Sequence, residues 1–268
     1  MKGSELVKLI DLSRCTACRG CQIACKQWNE LPASKTRNVG SYQNPQDLEW
    51  NTWTLIRFQE VVDGAGALKW LFRKDGCMHC TDAACVKVCP TQALFHTPFG
   101  NVAFDADRCI GCKDCISACP FGVPKFNCET KKIGKCDLCY SRLLANQPPA
   151  CVQACPTGAL QIGARDEMIK KAHRRARELG NGASVYGDQF VGGTHVIYVL
   201  PERVGAYDKL PENPSVPLSV VLWKDFLKPA SLLSAGGVLT AAFLHYITHG
   251  PKIADVETET TQVGGDGK

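Results

Sequence analysis

The chain has 268 residues, of which 45% are hydrophobic, 21% are charged and 17 are cysteine. A chain of this length with an odd number of cysteines does not fit a small secreted disulfide scaffold, and its N-terminal segment lacks the apolar core of a secretion signal. The net charge of +5 comes from basic residues scattered along the chain, which argues against nucleic acid as the main partner.

The first predicted element is a cysteine-rich loop followed by a helix. The stretch CTACRGCQIAC, residues 15–25, has the spacing C-x2-C-x2-C-x3-C. This spacing is typical of loops that bind a [4Fe–4S] cluster, in which a proline usually follows the fourth cysteine. Here Lys26 follows Cys25, so we expect the helix to continue until Pro32.

A β-hairpin is predicted after this first run. The segment WTLIRFQEVVDGAGALKWLFRKD, residues 53–75, is rich in β-branched and aromatic residues and has Asp-Gly-Ala-Gly at its centre. Such a pattern favours two strands joined by a turn. We expect the hairpin to pack beside the first clusters and not to form a site of its own.

Three further cysteine runs follow, and each ends in Cys-Pro. Zinc sites typically use two C-x2-C pairs split by a longer spacer, so four runs at ferredoxin spacing favour iron. Cys128 lies outside the runs and is predicted to be a free, structural thiol. The runs contain Cys77, Cys80, Cys85 and Cys89, then Cys109, Cys112, Cys115 and Cys119, then Cys136, Cys139, Cys151 and Cys155.

The fourth cysteine of each run is predicted to bind the cluster of another run, as in two-cluster ferredoxins. Runs two and three are close in sequence and most simply pair with each other, which leaves run one with run four. The predicted ligand sets are Cys15, Cys18, Cys21 and Cys155 (cluster 1), Cys77, Cys80, Cys85 and Cys119 (cluster 2), Cys109, Cys112, Cys115 and Cys89 (cluster 3), and Cys136, Cys139, Cys151 and Cys25 (cluster 4).

Several residues near the runs have simpler interpretations. Gly20 and Gly111 lie between ligands, where a Cβ would hinder the approach of the backbone to a cluster. His79 lies within run two but is not needed as a ligand. Basic residues beside the runs would offset the charge of the clusters, although each one is individually interpreted as ordinary surface. They are Arg14, Arg19, Lys26, Lys113 and Lys135.

Shorter elements connect the runs and follow them. Two short strands around a Pro-Phe-Gly turn are predicted between runs two and three. ARDEMIKKAHRRARELGNG, residues 164–182, predicts a helix because apolar residues recur at helical spacing, and GGTHVIYVLPE, residues 192–202, predicts a strand.

A transmembrane helix is predicted near the C-terminus. Residues 229–248 carry no charge, and at ~1.5 Å per residue they would span about 30 Å, the thickness of a bilayer core. Interfacial aromatic residues and lysines flank the stretch, namely Trp223, Tyr246, Lys224 and Lys228. A buried core helix is the alternative for this stretch, and haem ligation is the alternative to an interfacial role for His245 and His249.

These elements predict an α+β protein with two ferredoxin-like double-cluster modules, a β-hairpin insertion and one C-terminal transmembrane helix. One module is predicted to comprise residues 1–30 and 130–165 and the other residues 77–129. The remaining segments are the hairpin insertion (31–76), a helix, strand and linker (166–225), the membrane helix (226–249) and an acidic flexible tail (250–268). No nucleophile, acid–base pair or phosphate loop stands out, so the chain is predicted not to be an enzyme by itself.

The chain resembles the iron–sulfur subunits of membrane-bound molybdenum and tungsten oxidoreductases, and within that group the beta subunit of quinone-linked respiratory formate dehydrogenase. Cys112 stands where related nitrate reductases carry tryptophan. The stretches that carry the resemblance are CKQWNE, WLFRKDGCMHC, CPTGA, FVGGTHVIYVLP, VVLWKDFLKPA and FLHYI.

The resemblance implies a complex of three subunits. A bis-pterin molybdenum or tungsten subunit would oxidise formate, this chain would carry electrons through four [4Fe–4S] clusters, and a membrane cytochrome b would reduce quinone. The resemblance also implies that the clusters of runs two and three lie on the membrane side.

The resemblance further implies a single-pass protein of the bacterial inner membrane with a periplasmic cluster domain, whereas lysines before the span favour a cytoplasmic one. Alternatives for the function are a subunit of another membrane oxidoreductase such as a hydrogenase, a stand-alone membrane-tethered ferredoxin, and a zinc-rich scaffold.

Overall fold

The computed structural model describes residues 5–62, 64, 66–180, 182–222 and 227–250. The chain divides into two compact units, residues 1–221 and 222–268. The strands are β1 (Leu6–Asp11), β2 (Thr54–Val62), β3 (Leu68–Gly76), β4 (Leu94–His96), β5 (Val102–Phe104), β6 (Lys125–Phe126), β7 (Ile133–Gly134), β8 (Leu160–Ala164), β9 (Ser184–Tyr186) and β10 (Val196–Leu200).

The helices are mostly short and follow the cysteine loops. Helix α1 packs against α5, and α2 packs against α3. The helices are α1 (Gly20–Trp28), α2 (Ala84–Val88), α3 (Asp114–Ala118), α4 (Tyr140–Leu144), α5 (Ala150–Gln153), α6 (Arg165–Leu179), α7 (Leu218–Val221) and α8 (Lys228–His249), with short 3-10 helices at Leu12–Arg14, Phe190–Gly192 and Val204–Ala206.

A four-stranded sheet in the order β8-β1-β10-β9 forms the centre of the first unit. Strand β1 is buried along its whole length and pairs in parallel with β10 and antiparallel with β8. Because successive side chains of a strand point to opposite faces, Val7 and Leu9 pack against α6, whereas Leu6 and Ile10 join hydrophobic clusters that face the cysteine sites. The sequence analysis predicted β10 and α6 correctly but missed β1 and β8.

The predicted hairpin between runs one and two is formed by β2 and β3. Their antiparallel register runs from Thr54 opposite Gly76 to Val62 opposite Leu68. Leu55 and Ile56 near the base are buried, and Ile56 packs in the same hydrophobic cluster as Cys21 of run one. The hairpin therefore packs beside the cysteines of run one, as the sequence analysis expected.

Two small hairpins lie near the later runs. The predicted pair of strands around the Pro-Phe-Gly turn is present as β4 and β5, with Leu94 opposite Phe104. Strands β6 and β7 form a second two-stranded ribbon, with Phe126 opposite Ile133. Phe126 and Ile133 pack in one hydrophobic cluster with Leu94, so both ribbons help to cover the same region.

Helix α1 ends at Trp28 and not at Pro32, which corrects the sequence expectation. Glu30 adopts a positive φ of 52°, and the N–H of Leu31 donates to the carbonyl of Lys26 at 2.9 Å. This hydrogen bond is typical of the Schellman motif, which usually has glycine at the left-handed position. Because the sequence has glutamate there, the end of the helix gave no recognisable signal.

In runs two and three, the helix ends directly before the fourth cysteine, and a proline follows that cysteine. Cys89 and Cys119 follow α2 and α3 in extended conformations, with ψ of 110° and 114°. A residue that precedes proline is disfavoured in the α region, so Pro90 and Pro120 explain these ends. Run one lacks this proline, and Cys25 accordingly lies inside α1.

The second unit contains α8, which extends over the predicted span with nearly the same bounds. At ~1.5 Å per residue its length is about 33 Å. Of the helices that the structure describes, it alone is long and apolar enough to cross a membrane. Trp223, Lys224, the side chain of Lys228 and the predicted tail from Pro251 onward lie outside the described residues.

Candidate metal centres

In each cysteine loop, the residue immediately before the second cysteine has a positive φ. These residues are Ala17, His79, Gly111 and Leu138. Only one of the four is glycine, so the sequence carries little sign of this shared conformation. A Cβ on Gly111 would overlap the carbonyl oxygen of Lys131, whereas the nearest atom to a Cβ on Gly20 would be 3.4 Å away. The backbone of a neighbouring loop therefore leaves no room for a side chain at position 111.

The first cavity is lined by three cysteines of run one and one of run four. It measures about 380 Å³, open space at its mouth included, and Ile10, Ile56 and Lys74 complete much of its wall. Burial raises the pKa of the Cys21 thiol to about 12. We call this cavity site 1; its cysteines are Cys15, Cys18, Cys21 and Cys155.

The second cavity is lined by three cysteines of run three and one of run two. It measures about 320 Å³ on the same basis, and its other walls are mainly apolar, with Leu94, Phe104 and Ile133 among them. Burial raises the pKa of the Cys115 thiol to about 12. We call this cavity site 3; its cysteines are Cys109, Cys112, Cys115 and Cys89.

The remaining eight predicted ligands form two more deeply buried groups. Burial, together with the neighbouring thiols of Cys136 and Cys151, raises the pKa of the Cys25 thiol to about 12. Burial likewise raises the pKa of Cys85, with Cys77 and Cys119 as its neighbours. We call these groups site 4, with Cys25, Cys136, Cys139 and Cys151, and site 2, with Cys77, Cys80, Cys85 and Cys119.

Two of the four crossing cysteines, Cys89 and Cys155, lie in matching polar environments. Burial opposes their ionisation, but the N–H group of Leu94 or Leu160 and the hydroxyl of Thr91 or Thr157 outweigh it and lower the pKa of both thiols. The threonine oxygen is 3.7 Å from the sulfur in each case. These donors suit a cysteine that binds metal as a thiolate.

The donor sets fit iron–sulfur clusters better than single zinc ions. All 17 cysteines lie in the described part of the chain and carry free thiols. Among the described residues, no group of Cys, His, Asp or Glu side chains converges closely enough to hold one metal ion. In sites 1 and 3 the cysteines surround a space, as a cubane requires, whereas a tetrahedral zinc site draws its sulfurs to within about 2.3 Å of one ion.

The sequence analysis did not predict that two lysines beside the sites are buried. Lys135 is 1% exposed and Lys74 is 3% exposed, so the interpretation of Lys135 as an ordinary surface residue is wrong. Neither lysine lies in a pattern that indicates burial, because Lys74 is on an amphipathic hairpin strand and Lys135 directly precedes a ligand.

Other residues that the sequence analysis singled out have the following surroundings. Cys128 is exposed. The Nδ1 atom of His79 accepts a hydrogen bond from the N–H of Val102 at 3.2 Å, which supports the loop. His245 and His249 are stacked on α8 with ring centroids 4.8 Å apart.

Comparison with protein families confirms the predicted fold and cofactors. Two models of the 4Fe-4S dicluster domain match residues 14–93 and 68–165, so the chain has two ferredoxin-like double-cluster modules and binds four [4Fe–4S] clusters. A model described as Formate dehydrogenase N, transmembrane, matches residues 216–259. Helix α8 is therefore a single-pass membrane anchor.

Three relatives are similar over most of their length. The formate dehydrogenase iron-sulfur subunit of Haemophilus influenzae is 44% identical over 262 residues, which cover 94% of this chain and 84% of that protein. The iron-sulfur subunit of the nitrate-inducible formate dehydrogenase of Escherichia coli is 45% identical over 257 residues, covering 92% and 86%. The formate dehydrogenase-O iron-sulfur subunit of the same organism is 42% identical over 260 residues, covering 94% and 86%.

Proposed function

Because the chain belongs to the family of formate dehydrogenase iron–sulfur subunits, we propose that it carries electrons from a formate-oxidising molybdenum or tungsten subunit to a membrane cytochrome b that reduces quinone. The chain is an electron-transfer subunit and is not catalytic by itself. Four [4Fe–4S] clusters supply the one-electron chemistry when they are bound. The observation that carries the proposal is the series of four neighbouring cysteine sites inside a membrane-anchored chain.

Each site is proposed to hold one cluster with the four cysteines that define it. The two lined cavities support the sets of sites 1 and 3, and the neighbouring buried thiols support those of sites 2 and 4. In every set one cysteine crosses from another run. Residues 1–30 and 130–165 would then form one double-cluster module and residues 77–129 the other.

The four sites are proposed to act in the order 1, 4, 2, 3. Cys21 of site 1 has Cys151 of site 4 as a neighbour, and Cys77 of site 2 has Cys136 of site 4 as a neighbour. Sites 2 and 3 share α2, because Cys85 lies within that helix and Cys89 follows it. The exposed cysteines of the series, Cys18 and Cys112, belong to sites 1 and 3, so both ends of the series reach the surface.

Site 1 is proposed to accept electrons from the catalytic subunit and site 3 to pass them to the cytochrome. The test uses the purified complex with both partners: formate is added without oxygen while EPR follows the clusters and absorbance follows the haem. Cys112→Ser should stop haem reduction but leave the cluster of site 1 reducible, and Cys128→Ser should change neither.

Two results would contradict this assignment. If Cys112→Ser abolished reduction of every cluster while the partners stayed bound, the order would be reversed. If hydrogen reduced the clusters of the native complex and formate did not, the chain would serve another membrane oxidoreductase.

The cluster-bearing unit is proposed to lie in the periplasm, with α8 in the bacterial inner membrane. The family resemblance supports this side, because a folded, cluster-loaded unit would be exported together with its catalytic partner. Protease added to intact spheroplasts should digest the unit that contains sites 1–4. Complete protection, with digestion only after the cells are lysed, would assign the unit to the cytoplasm.

A further inference from the structure

Two lysines beside the cysteine sites are buried, and neither forms an ion pair with a carboxylate of the described residues. Lys74 and Lys135 are 3% and 1% exposed. The carboxylates of Asp11 and Asp75 are also buried, but both pair with arginines. Since a buried ammonium without a compensating charge is strongly unfavourable, the negative charge that balances these lysines has to come from the cysteine sites.

Lys74 lies between site 1 and site 4. Its side chain lines the cavity of site 1, and its Nζ atom is 3.3 Å from the hydroxyl of Thr54. Its charged neighbours include Cys21 of site 1 and Cys151 and Cys136 of site 4. The ammonium of Lys74 therefore stands at the junction of these two sites.

Lys135 lies between site 4 and site 2. Its Nζ atom donates hydrogen bonds of 2.7 Å to the carbonyl oxygens of Val102 and Cys136, the latter in the loop of site 4. It is also a charged neighbour of Cys77, Cys85 and Cys119, which belong to site 2. The two carbonyl bonds hold the ammonium at this second junction.

The junction between site 2 and site 3 is different, because apolar side chains fill it. Leu94, Val102 and Ile133 pack there against the cysteines of both sites. Lys113 lines the cavity of site 3, but it is exposed and has its ammonium 4.2 Å from the ring centroid of Phe126. Lys74 and Lys135 thus stand at two of the three junctions.

We propose that Lys74 and Lys135 are electrostatic tuning residues that raise the reduction potentials of the clusters on either side of them. Each reduction adds one electron, and so one negative charge, to a buried cluster. Burial alone disfavours that charge, and an adjacent ammonium stabilises it. Lys74 acts on clusters 1 and 4 and Lys135 on clusters 4 and 2, whereas the described lysine that lines site 3, Lys113, is exposed to solvent. The assignment of clusters rests on the ligand sets proposed above.

The test is an EPR-monitored redox titration of the membrane-extracted complex with dithionite as reductant, together with iron analysis. Lys74→Met and Lys135→Met remove the charge from an unbranched side chain. Lys74→Arg and Lys135→Arg keep the charge, and Lys170→Met on α6 is the exposed control away from the cysteine sites. Each methionine variant should disfavour reduction of its two clusters about tenfold, which corresponds to about 59 mV for a one-electron couple.

The expected pattern is specific. One cluster shifts to lower potential in both methionine variants, two shift in one variant each, and one shifts in neither. The arginine variants and Lys170→Met match the native complex. Loss of iron in a methionine variant that the matching arginine variant restores also supports the charge, because the cation is then needed to hold an anionic cluster.

Other outcomes overturn the proposal. If the methionine variants kept their full iron content and their cluster potentials did not shift, the tuning role of the lysines would be refuted. The proposed electron-transfer function would still stand, provided that formate still reduces the clusters. Loss of iron in both the methionine and the arginine variant would show a packing role and not an electrostatic one. If no single cluster shifted in both Lys74→Met and Lys135→Met, the assignment of the two lysines to a shared cluster and the ligand sets behind it would be refuted.

Discussion

The imidazole of His195 occupies the space that a side chain at Gly100 would need. A Cβ built on Gly100 would overlap Nε2 of that ring, and Gly100 has a φ of +86°. The Nδ1 atom of His195 lies 3.0 Å from the carbonyl oxygen of His79, to which it donates. The turn between β4 and β5 is thus fitted to a ring that supports the loop of run two.

Gly100→Ala should therefore destabilise the protein by about 2–4 kcal/mol, because a strained backbone and an overpacked contact add together. The matched control is Gly40→Ala, since Gly40 has a φ of +81° and nothing within 4 Å of its built Cβ. That variant should lose only about 1 kcal/mol. Thermal unfolding at one scan rate measures the stability of both variants. Equal losses would show that the ring of His195 moves aside without cost, which would contradict the overpacked contact.

Asp75→Asn should destabilise the hairpin strongly. The Asp75 carboxylate lies 2.5 Å from Nε of Arg57 and 3.1 Å from Nη1 of Arg73, and all three side chains are at most 11% exposed. Without it two buried guanidinium groups lose a counter-charge, which costs about 3–5 kcal/mol. Denaturant unfolding measures the loss. Glu202→Gln, which removes an exposed pair with Lys69, should cost less than about 1 kcal/mol, and similar losses would contradict the role of burial.

Thr157→Val should lower the reduction potential of cluster 1 without loss of iron. The Thr157 hydroxyl lies 3.7 Å from the Cys155 sulfur, and hydrogen bonds to cluster sulfurs favour the reduced state. The expected effect is about 0.5–1 kcal/mol of reduction free energy, measured by redox titration. The matched variant Thr91→Val changes Cys89 and should shift cluster 3 instead, so the same cluster shifting in both would argue against crossed ligation.

Serine variants of the cysteines should group by site and not by run. Cys25→Ser and Cys136→Ser should remove the same EPR signal, because both residues belong to site 4. Cys21→Ser should remove a different signal, although it lies in the same run as Cys25. Each variant should lose up to four of the sixteen irons expected for four [4Fe–4S] clusters, and Cys128→Ser should lose none. Identical difference spectra for Cys21→Ser and Cys25→Ser would refute the proposed sets.

A chain that ends at Leu222 should leave the membrane and keep its clusters. This end retains α7, whose Val220 packs against Ala84 and Ala118 beside α2 and α3. Fractionation after a high-salt wash should find the truncated protein soluble with its full iron content and the native chain in the pellet. Retention of the truncated chain on membranes that lack the partner subunits would place a second anchor in residues 1–222.

The hairpins, α6 and α8 could be predicted because each depends on a local pattern. In the β2–β3 hairpin, β-branched and aromatic residues flank a glycine-containing turn, and α8 contains twenty consecutive uncharged residues that begin with a proline. Strand β1 has no such signal. Its sequence LVKLID includes Lys8 and Asp11, and only pairing with β8 and β10 on both sides makes it the centre of the sheet.

The spacing of the cysteines by itself determined that the chain binds iron–sulfur clusters, because a loop with a ligand at every third residue can surround a cubane. Only the tertiary structure decided what surrounds those sulfurs. Sequence spacing does not say that Lys74 and Lys135 are buried between sites, or that Leu94 and Ile133 fill the next junction. The reason is physical: ligand spacing is a property of one short loop, whereas burial and the electric field at a cluster are set by residues that distant segments bring together.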